Sequence, residues 1–150
     1  MATTETKTVE REIKVNAKPE TVFSYLIEPE KLRKWMTIGS GTTDIRPGAD
    51  FRYEMTKDAT ARGKYVEITR PTRLVMTWGW EGGDVVTPPG SSTVEITLKP
   101  DGGGTLVKLV HRGLPSEESA TSHGHGWEHY LGRLSVAAAG GDPGTDSFSE

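Results

Sequence analysis

Residues 116–141, SEESATSHGHGWEHYLGRLSVAAAGG, decide the fold because they carry the longest helical pattern in the chain. Ser116 is a residue type that caps helix N-termini, and the two glutamates that follow suit the positive end of a helix dipole. The glycine pair at 140 and 141 ends the pattern. The segment therefore predicts one long C-terminal helix.

The phase of this helix separates its histidines. At about 100° per residue, one face carries His123, Trp127, Leu131, Leu134 and Ala138. His125 and His129 lie roughly opposite and form an i, i+4 pair. Such a pair can hold zinc, but the zinc helix motif reads His-Glu-x-x-His and needs a third ligand, whereas this segment reads His-Gly-Trp-Glu-His. We therefore expect no metal site, two exposed imidazoles and one inward histidine, His123.

Two glycines interrupt the same helix and need an explanation. Gly124 and Gly126 stand in its interior, where each costs up to about 1 kcal/mol relative to alanine. Either the helix approaches a strand closely at this point, or it begins near Thr121 and the preceding residues form a separate turn.

The chain before the helix reads as a sheet with two short helices near its start. Residues 8–15 (TVEREIKV) predict a strand, and residues 16–27 and 28–36 predict helices that begin at Pro19 and Pro29. Alternating runs follow at 46–55, 61–69, 72–80, 92–100 and 105–113, separated by turn residues. This order predicts an α+β domain with an antiparallel sheet. One face of the sheet is exposed to solvent and the other packs against the long helix.

Composition limits the partners. A chain of 150 residues suits one domain that buries about two thirds of its unfolded surface. Its 18 Lys and Arg against 21 Asp and Glu leave no basic stripe, so we expect no nucleic-acid partner. It has no cysteine and no apolar run long enough for membrane insertion. We expect a cytoplasmic protein with one domain over residues 1–139 and a disordered tail over residues 140–150.

Several stretches together resemble the START-like SRPBCC superfamily, in particular its heat-shock protein 90 ATPase activator homologue-like branch. The most specific are G-x-Y-x-E-I-x-x-P-x-x-L-V-x-T-W, from Gly63 to Trp78, and H-x-x-G-W-x-x-x-L-x-x-L, from His123 to Leu134. The resemblance implies a helix-grip fold: a curved antiparallel sheet of about six to seven strands around the C-terminal helix, two short helices between strands 1 and 2, and a cavity. Members bind lipids, hormones or polyketides, cyclise aromatic precursors, or contact other proteins.

Eight residues are candidates for the lining of that cavity. They are Tyr53, Glu67, Trp78, Trp80, His111, His123, Trp127 and Leu131. The aromatic residues are equally typical of plain core. Glu67 matches a family position and is either the structural partner of an arginine or an acid in the cavity. His111 and His123 are either hydrogen-bonded core residues or groups that contact a ligand or act as acid and base.

The segment between Trp80 and Thr93, EGGDVVTPPGSS, is too long for a tight hairpin. It either covers the cavity or is a plain surface excursion.

Three functions fit this description. The first is binding of a small apolar, aromatic or lipid-like molecule in the cavity, without cofactor, metal or catalytic residue. The second is interaction with a chaperone or another protein, as the name of the branch suggests. The third is an enzyme of the aromatase or cyclase kind, for which His111, His123 and Glu67 are the titratable candidates. A monomer and a homodimer fit equally well.

Overall fold

The computed structural model of the chain describes residues 6–40, 44–81, 90–144 and 146. The strands are β1 (Lys7–Val15), β2 (Gly39–Ser40), β3 (Asp50–Thr56), β4 (Ala59–Thr69), β5 (Arg73–Glu81), β6 (Ser92–Asp101) and β7 (Gly104–Leu114). The helices are α1 (Pro19–Ile27), α2 (Pro29–Leu32) and α3 (Glu117–Ala138).

The strands form one antiparallel sheet in the order β1-β7-β6-β5-β4-β3-β2. Strands β3 to β7 each pair with their neighbour in sequence, which confirms the predicted meander. The first strand returns to the last, with Val15 opposite Thr105. The sheet, the two short helices after β1 and the long α3 confirm the helix-grip α+β fold, in which the sheet curves around α3.

The two short helices close one end of the core. Each begins at a proline, whose fixed φ suits the first helical position. The second ends at Leu32, and the residues after it continue as a turn that buries Trp35 and Met36 at 2% and 4% exposure. The indole of Trp35 donates a hydrogen bond of 2.8 Å to the carbonyl oxygen of Tyr25, which ties this turn to α1.

The long helix begins where its cap predicts. The Ser116 hydroxyl accepts a hydrogen bond of 3.0 Å from the amide of Ser119, so the helix starts at Glu117 and a start near Thr121 is wrong. At the other end Gly140 has φ +93°, a conformation that favours glycine, and its amide bonds the carbonyl of Ala137.

Gly124 marks the point where α3 approaches β1. A Cβ on Gly124 would lie 2.6 Å from Nη2 of Arg11 and 3.8 Å from Cγ1 of Val9. Arg11 crosses this gap, and its Nε donates to Glu128 at 3.0 Å. Close approach of helix to strand, one of the two explanations open from sequence, therefore accounts for Gly124.

The core between sheet and helices is rich in aromatic rings. Phe51 lies 4.6 Å from the ring centroid of Tyr53 and 5.7 Å from that of Trp78. The hydroxyls of Tyr53 and Tyr65 meet at 2.7 Å, and burial raises the pKa of both phenols above the usual range. The inner face of strands β3 to β5 thus carries a cluster of aromatic rings behind the site described below.

Gly63 provides a test of strand packing. A Cβ at this position would collide with the carbonyl oxygen of Thr77 on the neighbouring strand. We expect Gly63→Ala to lower the free energy of unfolding by about 1–3 kcal/mol, as overpacking of a tight site does.

The matched control is Gly132→Ala in α3, where an added Cβ meets nothing within 4 Å. This change is expected to raise the free energy of unfolding by up to about 1 kcal/mol through helix propensity. Urea unfolding measures both variants. Equal midpoints for the two would contradict the close strand contact at Gly63.

Candidate functional site

A cavity of about 420 Å³ lies between the β3–β4 hairpin, strand β5 and the first half of α3. Its lining residues are Met55, Thr56, Ala59, Trp78, Trp80, Ser122, His123, Gly126, Trp127 and Tyr130. Most of this surface is aromatic or aliphatic, and the size falls within the range of small-molecule sites. The cavity is therefore the candidate functional site.

Three tryptophans form its walls. Trp78 is 1% exposed, and its ring centroid lies 5.1 Å from that of Trp127 and 5.8 Å from that of Trp80. The Trp78–Trp80 pair is edge to face, with planes at 85°. Edge and tilted arrangements of this kind are favourable between aromatic rings. The walls are consequently fixed by contacts between the rings themselves.

His123 holds the outermost of these tryptophans. The indole N–H of Trp80 donates to Nε2 of His123 at 2.9 Å, so this nitrogen is the acceptor. The Nδ1 nitrogen lies 2.8 Å from the carbonyl oxygen of Ser119 and therefore carries the proton. Both nitrogens are engaged, and the geometry selects the neutral Nδ1–H tautomer.

His111 holds the tryptophan of the helix in the opposite tautomer. The indole N–H of Trp127 donates to Nδ1 of His111 at 3.0 Å. The other nitrogen lies 2.7 Å from the hydroxyl of Ser92, which itself donates to the carbonyl oxygen of Trp78 at 2.8 Å. The Ser92 oxygen must then accept from His111, which places the proton on Nε2. A continuous chain of bonds thus runs from α3 through β7 and β6 to β5.

The two imidazoles are neutral at physiological pH. Their ring centroids are 4.8 Å apart. Burial lowers the pKa of His111 to about 3, with a further contribution from the neighbouring His123. Burial also lowers the pKa of His123, against the opposing effect of the Ser119 carbonyl. Protonation of either acceptor nitrogen would break the bond to an indole, which explains why both rings stay neutral.

The Ser92–His111 contact has the distance of a nucleophile and its base but not the arrangement. Both residues are buried, at 3% and 0% exposure, and the serine proton is directed at the carbonyl of Trp78. A serine nucleophile needs a base that takes its proton and an open path to the substrate. Here the pair is a structural bridge between two strands.

The structure brings four of the eight candidate residues to the cavity: Trp78, Trp80, His123 and Trp127. Tyr53, His111 and Leu131 lie outside the lining and are 0%, 0% and 3% exposed. The sequence pattern identified which residues face inward, but not which of them line the cavity and which are buried in the core.

Glu67 lies on the outer face of the sheet, outside the cavity lining. Its carboxylate bonds Nε of Arg73 at 3.3 Å and the hydroxyl of Thr69 at 2.8 Å. The register shifts between Tyr65 and Glu67, so one extra residue in β4 turns Glu67 away from the side that Tyr65 faces. The arginine partnership considered from sequence is therefore observed.

Several lining residues were not singled out from sequence. Met55 shares an alternating face with Tyr53, and Tyr130 is one helical turn beyond Trp127, so both had a pattern that could have identified them. Gly126 had the clearest signal, an unexplained glycine inside a helix. A Cβ there meets nothing within 4 Å, because the residue faces the open cavity.

The expectation of two exposed histidines opposite the cavity is half wrong. His125 is exposed, but Nε2 of His129 contacts the carboxylate of Asp146 at 2.6 Å and its side chain is 22% exposed. Residues 82–89 belong to the segment that either covers the cavity or is a plain surface excursion, and they lie outside the described residues.

The described residues contain no group of three or more His, Asp or Glu side chains that could hold a metal ion. None of the helices in the same ranges has both the length and the apolarity to cross a bilayer.

The family model described as activator of Hsp90 ATPase homolog 1-like protein matches residues 16–139. The chain belongs to this family. Its fold and family together place it in the START-like SRPBCC superfamily, as the sequence motifs predicted. No curated protein matches the chain significantly.

Solved structures of similar proteins show the same fold. An AHSA1-like protein from Rhizobium etli is 44% identical, with a TM-score of 0.76 over 97% of this chain and 90% of that one. CalU16 from Micromonospora echinospora is 25% identical, with a TM-score of 0.68 over 93% and 88%. The Aha1 dimer from Colwellia psychrerythraea is 17% identical, with a TM-score of 0.75 over 90% and 98%.

The buried imidazoles make stability depend on pH in a defined window. The folded pKa of His111, about 3, lies below the unfolded value of about 6.5. Above pH 6.5 both states are neutral, and as the pH falls from 6.5 towards 3 only the unfolded state takes up the proton. We expect this one residue to cost about 2 kcal/mol of stability between pH 7 and pH 5, measured by urea unfolding.

A comparison of two variants isolates the effect. His111→Asn keeps an acceptor for Trp127 without a titrating group, so its stability should change less between pH 7 and pH 5. His125→Asn, on the exposed face, should keep the pH dependence of the original chain. An unchanged pH dependence in His111→Asn would show that His111 is not buried in its neutral form.

Proposed function

We propose that this protein binds a small apolar or aromatic, lipid-like molecule in the cavity between the sheet and α3. One observation carries the proposal: the walls include three indole rings, and two of their N–H groups are hydrogen-bonded to histidines of the protein. The N–H groups of Trp80 and Trp127 are bonded to His123 and His111, so these two tryptophans offer their carbon surfaces rather than hydrogen-bond donors. Such a surface favours a flat, apolar ligand.

The polar groups of the lining support the same class of ligand. Both nitrogens of His123 are engaged within the protein, and neither imidazole is charged near neutral pH. Ser122 is exposed and supplies a hydroxyl for a polar edge of the ligand. A ligand that is mostly apolar and carries one polar substituent matches this distribution.

The proposal involves neither metal nor organic cofactor and assigns no catalytic residue. General acid–base chemistry by His123 would require it to give up the bond to Trp80. The proposed setting is cytoplasmic, with the domain over residues 1–139 acting as a monomer or a homodimer. The dimer is included because the related protein from Colwellia psychrerythraea is described as one.

Gly126 allows the cavity to be filled without disturbing its walls. A side chain at this position extends into open space, so we expect Gly126→Leu to occupy the cavity and abolish binding. It should also raise the melting temperature of the free protein, because leucine gains about 0.8 kcal/mol of helix propensity over glycine. Thermal shift and chemical-shift perturbation with a panel of fatty acids, flavonoids and polyketide-like aromatics measure both effects.

Gly132→Leu is the matched control. It makes the same replacement in the same helix, also into open space, but outside the cavity lining. It should keep ligand binding while gaining similar stability. Binding that survives Gly126→Leu, or a panel without any ligand, would count against the proposal.

Interaction with a chaperone is the second candidate, favoured by the family description as an activator of Hsp90 ATPase. Stimulation of the ATPase of an Hsp90-type chaperone by the purified protein tests it. If stimulation occurs and Gly126→Leu does not change it, the chaperone role is independent of the cavity.

A further inference from the structure

A second cavity, of about 310 Å³, lies away from the aromatic one, where the turn after α2 meets the second half of α3 and the C-terminal segment. Its lining residues are Arg33, Trp35, Met36, Thr37, Ile38, Arg133, Gly144 and Asp146. None of these residues lines the aromatic cavity. We propose that this second cavity binds a small oxyanion, the carboxylate or phosphate group of an organic molecule.

The charge of the cavity is the first reason. Within the described ranges, neither Arg33 nor Arg133 has a carboxylate oxygen within ion-pair distance. Most other arginines do, as the pairs of Arg11, Arg46, Arg52, Arg62, Arg73 and Arg112 show. Two cations that line one concave site and form no ion pair favour an anion there.

The orientation of Arg133 is the second reason. Its Nε donates to the carbonyl of Trp35 at 2.9 Å, and its Nη1 donates to the carbonyl of Pro143 at 3.3 Å. These carbonyls fix the plane of the guanidinium but do not neutralise its charge. The Nη2 group has no partner among the described residues and is available to an oxyanion, and a guanidinium held in one plane suits carboxylate and phosphate.

Asp146 forms no ion pair with either arginine. Its carboxylate is committed to Nε2 of His129 at 2.6 Å and also accepts from the hydroxyl of Tyr130. Burial raises the pKa of the Tyr130 phenol above its usual range, and the bond to Asp146 raises it further. The single carboxylate of the lining is therefore engaged with His129 and Tyr130 rather than with either arginine.

Thr37 supplies the third, independent reason. It is 4% exposed, and its hydroxyl oxygen has no hydrogen-bond partner among the described residues. A buried hydroxyl without a partner is costly, and native proteins rarely leave one unless a ligand or water completes it. On this proposal the hydroxyl donates to the oxyanion, because Thr37 belongs to the cavity lining.

The volume indicates that the anion is part of a larger molecule. Inorganic phosphate would leave much of 310 Å³ unfilled. Met36 and Ile38 add aliphatic surface to the lining, and Ile38 is 46% exposed. A phosphate monoester or a carboxylate with a small apolar group matches both the donors and this surface.

Titration of the whole chain with phenyl phosphate and with benzoate, at constant ionic strength, tests the inference. Saturable shifts of the Thr37 and Arg133 amide signals are the expected result with at least one of the two compounds, and the better one identifies phosphate or carboxylate as the preferred group. Arg33→Gln should weaken this binding by about tenfold or more through loss of a charge-assisted contact. Lys34→Gln, which removes a neighbouring exposed charge outside the cavity, should leave it nearly unchanged.

A second variant guards against a purely electrostatic effect. Thr37→Val preserves shape and removes the unpartnered hydroxyl, so it should raise the melting temperature of the free protein and weaken anion binding. The absence of saturable shifts up to about 10 mM of either compound would overturn the inference. Equal weakening by Arg33→Gln and Lys34→Gln would overturn it as well. Because Gly126→Leu leaves this cavity intact, failure of the aromatic site and failure of the anion site are distinguishable.

Discussion

The hydrogen bonds from two indoles to two neutral imidazoles are the interactions on which the cavity depends. Trp127 on α3 bonds His111 on β7, and Trp80 on β5 bonds His123 on α3. In one bond the helix donates to the sheet, and in the other the sheet donates to the helix. Together they hold α3 at a fixed distance from the strands, and we refer to them as the clamp. An indole N–H has only one proton to give, and each imidazole must therefore present its unprotonated nitrogen. The position of α3 therefore depends on the protonation state of the two imidazoles.

The clamp also explains why α3 contains glycine at 124 and 126. Gly124 lets the helix come close enough to β1 for Arg11 to reach Glu128, on the side away from the cavity. Gly126 leaves open the space that the two clamped tryptophans border. The first glycine permits contact and the second preserves a gap, although both appear identical in the sequence. Alanine has the higher helix propensity at either position. The glycines are therefore explained by the helix–strand contact at 124 and by the open cavity at 126.

Sequence reasoning was sufficient where a property depends on local chemistry or period. The cap at Ser116, the inward face with His123 and Trp127, and the meander all follow from such rules. Sequence reasoning failed where the orientation of a side chain depends on a one-residue register shift, or where its contact depends on a residue distant in sequence. A β-bulge, invisible in strict alternation, turned Glu67 outwards, and His129 met Asp146, a partner in the segment expected to be disordered. That expectation for residues 140–150 as a whole stays a prediction, although Pro143 and Asp146 contact α3.

Some features that lower the stability of this domain lie at the two cavities described above. At the aromatic cavity, Gly126 forgoes helix propensity, and the indole nitrogen of Trp78 is buried without a partner among the described residues. At the second cavity, the hydroxyl of Thr37 is the corresponding unpaired group. A buried polar atom without a partner costs about 1–3 kcal/mol, so neither feature would persist for the sake of the fold. Departures from local rules that coincide with open space are typical of binding sites, because a ligand rather than the protein completes the packing.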